Sequence, residues 1–218
     1  MSDGEEPERK KDMKKAIIVM SLAALAVLVS CSGRRESADS KKNRELFQKL
    51  FTVEEGLEWA KTSDVVLMDK DGCVSGKALW EAFYEASTHG KPASVLMAHY
   101  MTIEKEKMSE EYYEQVKDEY PKLSITLLEY DGVEYNMKQR DCAKEHTGTG
   151  TVYKHLKHFT GEAPTEYAKT QYDSYNYYLL LDDPTLTYEE ILAASLSSYA
   201  PSQIREYPIY MEYIGKKK

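Results

Sequence analysis

The sequence predicts an α+β fold, in which an antiparallel sheet of about five or six strands carries about four helices on one face or at its ends. Strand patterns follow one another through the second half of the chain, while helix patterns concentrate towards its two ends. Such an order favours an antiparallel sheet over alternating βαβ units. The stretch 44–218 has the length of one ordinary domain, and we expect it to fold as one.

Capping signals predict the helices. Thr52 with Glu55, and Thr187 with Glu190, have the spacing of capping boxes, in which each side chain bonds the other residue's backbone N–H. A serine at the cap position starts each of the other two helices, and a proline or glycine follows each end. The four predicted helices cover residues 52–61, 75–90, 109–121 and 187–198.

Alternating or continuous apolar runs predict the strands. The stretch 93–103 is apolar on both parities, which is typical of a central strand covered on both faces. Pro208 places the last strand at an edge, where a missing N–H is tolerated. The predicted strands cover 64–73, 93–103, 123–130, 133–140, 151–159, 174–183 and 205–214.

A hairpin is predicted around Asp131-Gly132, a pair suited to the positive φ values of a tight turn. With a two-residue loop, Tyr130 faces Val133 and Leu128 faces Tyr135. One face of the hairpin is then mostly apolar.

The N-terminal region carries targeting signals. Residues 16–29 are almost wholly apolar and follow two lysines. They span only about 21 Å as a helix, which is short for a membrane span and well sized for the core of a signal peptide. An uncleaved N-terminal anchor is the alternative. The acidic residues ahead of Met13 are unusual for a signal peptide, so Met13 is the expected start.

The apolar run ends in Leu28-Val29-Ser30-Cys31, which resembles the lipobox of bacterial lipoproteins. The resemblance implies cleavage of residues 1–30, a diacylglycerol thioether on Cys31, and a place on the extracytoplasmic face of the cell membrane. Residues 31–43 then form a flexible tether. The stretches "VVLMDKDGCVSGKALWEAF" and "EEYYEQVKDEYPKL" are similar to small lipoproteins of Gram-positive gut bacteria, which implies this setting and no activity.

The net charge limits the classes of binding partner that we expect. Residues 1–30 hold five acids and five bases, so the whole net charge of -8 falls on the remaining chain. An acidic chain is repelled by phosphate backbones, so we exclude nucleic acid as the expected partner. The expected contacts are the membrane, through the lipid on Cys31, and a protein or peptide of the cell envelope. We expect no cofactor.

Cysteines and histidines leave alternatives open. Cys73 and Cys142 either form a disulfide or are two separate buried thiols. The region from His146 to His158, which includes His155, holds residue types that bind zinc. However, residues 155 and 158 have opposite parity in a strand and point to opposite faces, so we expect no metal there.

Tyrosine is the unusual component of the composition, since 13 of the 18 tyrosines lie from Tyr130 onward. Tyrosine combines apolar area with a hydrogen-bonding tip, which suits a binding surface, although it is also a common strand residue. The candidate interaction surface consists of Tyr175, Tyr177, Tyr178, Tyr207, Tyr210 and Tyr213.

Two functional classes remain. The first is a lipid-anchored, non-catalytic module that binds an envelope component through its sheet or an aromatic face. The second is a ligand- or metal-handling envelope protein, such as a hydrolase, that uses the His146 to His158 region. No catalytic triad order, carboxylate pair or CxxC pattern favours the second class.

Overall fold

In the computed structural model, the described residues are 38–146, 148–196 and 204–216. Their helices are α1 (Ala38–Phe47), α2 (Val53–Thr62), α3 (Lys77–Thr88), α4 (Glu110–Val116), α5 (Glu166–Gln171) and α6 (Tyr188–Leu196). Their strands are β1 (Val66–Asp69), β2 (Gly72–Ser75), β3 (Ala93–Met101), β4 (Lys122–Tyr130), β5 (Tyr135–Asp141), β6 (Thr151–Tyr153), β7 (His155–Glu162), β8 (Tyr172–Leu181) and β9 (Glu206–Lys216). The α+β class is confirmed.

The strands form two sheets where the sequence predicts one. The first has the order β2-β1-β3-β4-β5-β6, and the second has the order β7-β8-β9. Among the described strands, only β1 and β3 pair in parallel, and the other neighbours are antiparallel. The predicted strand over 151–159 is interrupted at Lys154, where the chain passes from the first sheet to the second.

An apolar layer, which we call the inter-sheet layer, joins one face of the first sheet to α3 and to the second sheet. Its buried members are Val66, Met68, Trp80, Phe83, Val95, Met97, Leu128, Tyr135, Met137, Tyr153, Leu180, Ile209 and Tyr210. A separate cluster packs α1 and α2 on the opposite face of the first sheet, and a third packs α6 on the outer face of the second sheet. Both faces of both sheets therefore have a cover.

The predicted capping boxes are confirmed. The Thr52 hydroxyl accepts the N–H of Glu55, whose carboxylate accepts the N–H of Thr52. Thr187 and Glu190 make the same reciprocal pair at the start of α6. The end of that helix predicted near residue 198 lies outside the described residues.

The predicted start of α3 at Ser75 is wrong. Residues 72–75 form the unpredicted strand β2, and the helix begins after Gly76, which has a φ of 80°. A Cβ atom at Gly76 would clash with the carbonyl oxygen of Val65. The close passage of two backbones, and not a serine cap, therefore fixes this boundary.

The predicted hairpin forms, but its two-residue turn is wrong. Tyr130 pairs with Tyr135 and Leu128 with Met137, so the loop has four residues, 131–134. The Asp131 carboxylate accepts the N–H groups of both Val133 and Glu134 and closes the loop itself. The observed register is shifted by two residues from the predicted one. Because side chains alternate between faces, an even shift leaves the same side chains on the apolar face.

The expected tether over 31–43 is too long at its C-terminal end, because α1 already begins at Ala38. Tertiary contacts stabilise this polar helix. The Asn43 amide donates to the Ser94 hydroxyl at 2.9 Å. Buried Arg140 donates to the carbonyl oxygens of Phe47 and Lys49, at and just after the helix end. A positively charged side chain near the C-terminal carbonyl groups of a helix stabilises that helix.

None of the helices in the described ranges is long and apolar enough to cross a membrane. The predicted signal peptide, Met13 and Cys31 lie outside those ranges.

Candidate functional site

The six tyrosines of the predicted interaction surface do not form one exposed face. Tyr175, Tyr177 and Tyr210 are buried, with exposed fractions of 7%, 7% and 2%. Burial also raises the pKa of the Tyr177 and Tyr210 hydroxyls well above their ordinary values. These three belong to the core: Tyr175 and Tyr177 lie in the central strand β8 and pack in the cluster under α6, and Tyr210 lies in β9 and packs into the inter-sheet layer.

The other three predicted tyrosines are partly buried. Tyr178 packs edge-on against Trp80, with ring centroids 5.1 Å apart. The Tyr207 hydroxyl accepts a hydrogen bond of 2.8 Å from the Gln139 side chain, which links the two sheets. Tyr213 stacks on Tyr172 and lines a cleft described below. Of the six, only Tyr213 lies at a candidate site.

The histidines of the predicted region do not converge. His146 lies after β5, with Nδ1 3.2 Å from the carbonyl oxygen of Gln139. In β7, His155 pairs with Leu181 and His158 with Tyr178, which face opposite sides of β8, so the predicted opposite parity is confirmed. Within the described ranges, no three His, Cys, Asp or Glu side chains are grouped as metal ligands.

Cys73 and Cys142 are free thiols on opposite sides of the first sheet. Cys142 is fully buried, whereas Cys73 is partly buried beside the inter-sheet layer. Burial raises the pKa of both thiols, which makes them poor nucleophiles near neutral pH. Of the two alternatives for this pair, the structure has the separate thiols.

A cleft of about 280 Å³ opens where the inter-sheet layer ends. We call it the His99 cleft. The parallel strands β1 and β3 end side by side there, with Met68 next to His99, and β9 of the second sheet forms the opposite wall. Its lining residues are Met68, Asp69, Lys70, Asp71, Gly72, His99, Tyr100, Met101, Thr102, Pro208, Ile209, Met211 and Tyr213.

The wall formed by β9 is shaped by a bulge. Tyr178 pairs with Tyr210, but Leu179 pairs with Pro208, so Ile209 is an extra residue in β9. Consequently Ile209 and Tyr210 both pack into the inter-sheet layer. The next residue, Met211, is 44% exposed and lies at the rim of the cleft.

Gly72 keeps the two sheets close beside the cleft. A Cβ atom at this position would lie 3.1 Å from the Cα of Glu212 in β9, and its φ of 128° favours glycine. The Asp69 carboxylate accepts the N–H groups of Asp71 and Gly72 and holds the β1–β2 turn. The Tyr172 hydroxyl donates to Asp71 across the two sheets.

His99 is the distinctive side chain of the cleft. Its Nε2 atom is closed to solvent and has no hydrogen-bond partner among the described residues. Burial lowers the pKa of the imidazole from its ordinary 6.5 to about 4, because the charged form loses its hydration. The ring is therefore neutral at physiological pH, and it can donate or accept one further hydrogen bond.

This arrangement suits binding better than catalysis. A general base works best with a pKa near the operating pH, and an imidazole with a pKa of about 4 is too weak. The Asp69 carboxylate is engaged in the turn, and Lys70 pairs with Glu104 at 2.9 Å. A mostly apolar concave wall that includes a buried polar atom without a partner is instead typical of a small-molecule site.

The sequence reasoning missed His99, Met101 and Met211. His99 was included in the apolar run of the central strand, and its partner wall belongs to an unpredicted second sheet. The available signal was a histidine near the C-terminal end of a strand that is otherwise apolar on both parities. No family model, curated protein or solved structure matches this chain.

We expect His99→Leu to stabilise the domain, because an unpaired buried polar atom costs about 1 kcal/mol or more. For a chain of this size, the melting temperature should rise by about 2–4 °C near neutral pH. Calorimetry or a circular-dichroism melt measures this change. The exposed His89 provides the matched control: His89→Leu loses the contact between the ring and the Glu85 carbonyl oxygen at the end of α3, so its melting temperature should not rise.

The same variant should alter the pH dependence of stability. As the pH falls from 6.5 towards 4, the unfolded chain takes up a proton at residue 99 that the folded chain does not, so wild type loses stability. In His99→Leu this part of the loss should be absent, whereas His89→Leu should follow wild type. A lower melting temperature for His99→Leu at neutral pH, or an unchanged pH profile, would contradict the assignment.

Proposed function

We propose that this protein is a lipid-anchored, extracytoplasmic binding protein that is held at the cell membrane through Cys31 and takes its ligand in the His99 cleft. The anchoring part rests on the lipobox Leu28-Val29-Ser30-Cys31 behind an apolar run. Two or more acyl chains hold a protein stably on a membrane, where one chain is marginal.

The binding part rests on a single observation: of the six buried side-chain atoms without a hydrogen-bond partner among the described residues, only Nε2 of His99 belongs to a residue that lines the cleft. Buried polar groups in folded proteins are nearly always hydrogen-bonded, and an exception calls for an explanation. A ligand that completes this hydrogen bond supplies one. Two methionines of the rim, Met101 and Met211, are 39% and 44% exposed, and ligand contact would cover them.

The non-catalytic part follows from the chemistry of the same side chains. Neither the neutral imidazole of low pKa nor the occupied Asp69 carboxylate suits proton transfer near pH 7. The alternative of a hydrolase built on His146, His155 and His158 draws no support, because these side chains lie apart.

Cys31→Ala should abolish membrane anchoring. Without the thiol no thioether can form, so the variant should either leave the detergent phase or accumulate as an uncleaved precursor. Phase partitioning of the full chain, combined with mass spectrometry of its N-terminus, measures both effects. The matched control is Cys73→Ala, which should partition as wild type does. Equal partitioning of fully processed wild type and Cys31→Ala would refute the anchoring proposal.

A ligand in the cleft should raise the melting temperature of the protein. We propose a thermal-shift screen with a fragment set that includes neutral, anionic and cationic compounds. Some compounds should stabilise wild type but not Met101→Asp, which places a charge at the rim. Val133→Asp introduces the same charge at a residue that is 73% exposed in the β4–β5 loop, and it should respond as wild type does. The binding proposal fails if no compound stabilises wild type, or if Met101→Asp responds equally.

A further inference from the structure

We infer that the ligand of the His99 cleft is a small, uncharged aromatic compound with a hydroxyl group, whose ring lies among the methionines and whose hydroxyl pairs with Nε2 of His99. This inference rests on the proposed binding function and names its ligand class. It draws on the wall composition, the charge around the cleft, the chemistry of the imidazole and the size of the space.

The walls favour an aromatic ring. Three methionines, Met68, Met101 and Met211, line the cleft together with Tyr213. Thioether sulfur makes favourable contacts with aromatic rings, and the unbranched methionine side chain adapts to ligands of different outline. Tyr213 already stacks on Tyr172, with centroids 4.6 Å apart, and presents a second aromatic surface beside the space.

The charges at the cleft oppose an anion, and the ammonium of Lys70, 3.5 Å from the Asp71 carboxylate, offsets part of the negative charge that attracts a cation. Asp69 and Asp71 lie at the β1–β2 turn and repel negative charge. Both carboxylates already accept hydrogen bonds, from the turn backbone and from the Tyr172 hydroxyl respectively. The nearby ammonium of Lys70 is paired with Glu104. An uncharged ligand loses least on entering a mostly apolar cleft.

The imidazole favours a hydroxyl. A neutral imidazole nitrogen is a donor in one tautomer and an acceptor in the other, and a hydroxyl can meet either because it both donates and accepts. Because Nε2 is closed to solvent, a hydrogen bond to the ligand requires side chains of the lining to move, and the unbranched methionines among them are flexible.

The size limits the ligand to one or two rings. An engineered apolar cavity of about 150 Å³ binds benzene. The His99 cleft, at about 280 Å³, is larger but remains at the small end for ligand sites. A naphthyl compound is therefore a suitable probe.

The test compares three probes that share one ring system, namely 2-naphthol, naphthalene and 2-naphthoate. The protein is the chain from Ser32, which retains every described helix and strand and needs no detergent. A cooperative thermal melt of each variant is checked first. Calorimetric titration should give 2-naphthol about tenfold tighter binding than naphthalene, which corresponds to one net hydrogen bond. The anion 2-naphthoate should bind more weakly than either.

Two variants, each with a matched control, show whether the probes bind in the His99 cleft. His99→Leu should bind 2-naphthol and naphthalene equally, whereas His89→Leu should keep the tenfold preference. Met101→Asp should weaken both probes, and Val133→Asp should weaken neither. If His99→Leu does not fold, the comparison of Met101→Asp with Val133→Asp still tests whether the probes bind in the cleft.

Three results would overturn the inference: equal binding of 2-naphthol and naphthalene to wild type, tightest binding of 2-naphthoate, or a hydroxyl preference that survives in His99→Leu. These differ from failure of the binding function. If the fragments that stabilise wild type through the cleft all lack an aromatic hydroxyl and no naphthyl probe binds, the ligand class is wrong and the binding function stands. If neither fragments nor probes bind, both proposals fail.

Discussion

The packing of two sheets against one apolar layer is the constraint on which the rest of this structure depends. Trp80 lies at the centre of the inter-sheet layer and is only 1% exposed. Its ring stacks on Tyr210 of the second sheet at 4.8 Å and meets Phe83 of its own helix at 5.8 Å. This contact packs the second sheet against the first, and α6 covers its outer face.

The same packing explains why a cleft forms where it does. The parallel strands β1 and β3 end side by side. The bulge at Ile209 lies in the facing part of β9, where the inter-sheet layer ends. His99 continues the parity of Val95 and Met97 along β3, so its ring faces the second sheet beyond the filled part of the layer. The unpartnered Nε2 atom lowers the stability of the folded chain, and among the six such atoms in the described residues it is the one that a ligand in the cleft could pair with.

The sequence predicts the local elements well because their causes are local. The capping box at Thr52 and the hairpin at Asp131 depend on side chains a few residues apart. The second sheet depends on contacts between residues far apart in the sequence. In β8, aromatic or aliphatic residues occur at both odd and even positions, because both faces of the strand are buried. This pattern does not indicate which sheet the strand joins. The role of Arg140 also could not be predicted, because the carbonyl oxygens of Phe47 and Lys49, at and just after the end of α1, are more than ninety positions away in the sequence.

Titration of the His99 imidazole by ¹⁵N NMR in the ligand-free protein measures how far this ring is buried between the sheets. We expect a neutral ring through physiological pH, with a pKa of about 4, because burial removes the hydration of the charged form. A pKa near the ordinary 6.5 would contradict this expectation, since His99 would then be hydrated and the two sheets would not close on this residue as described.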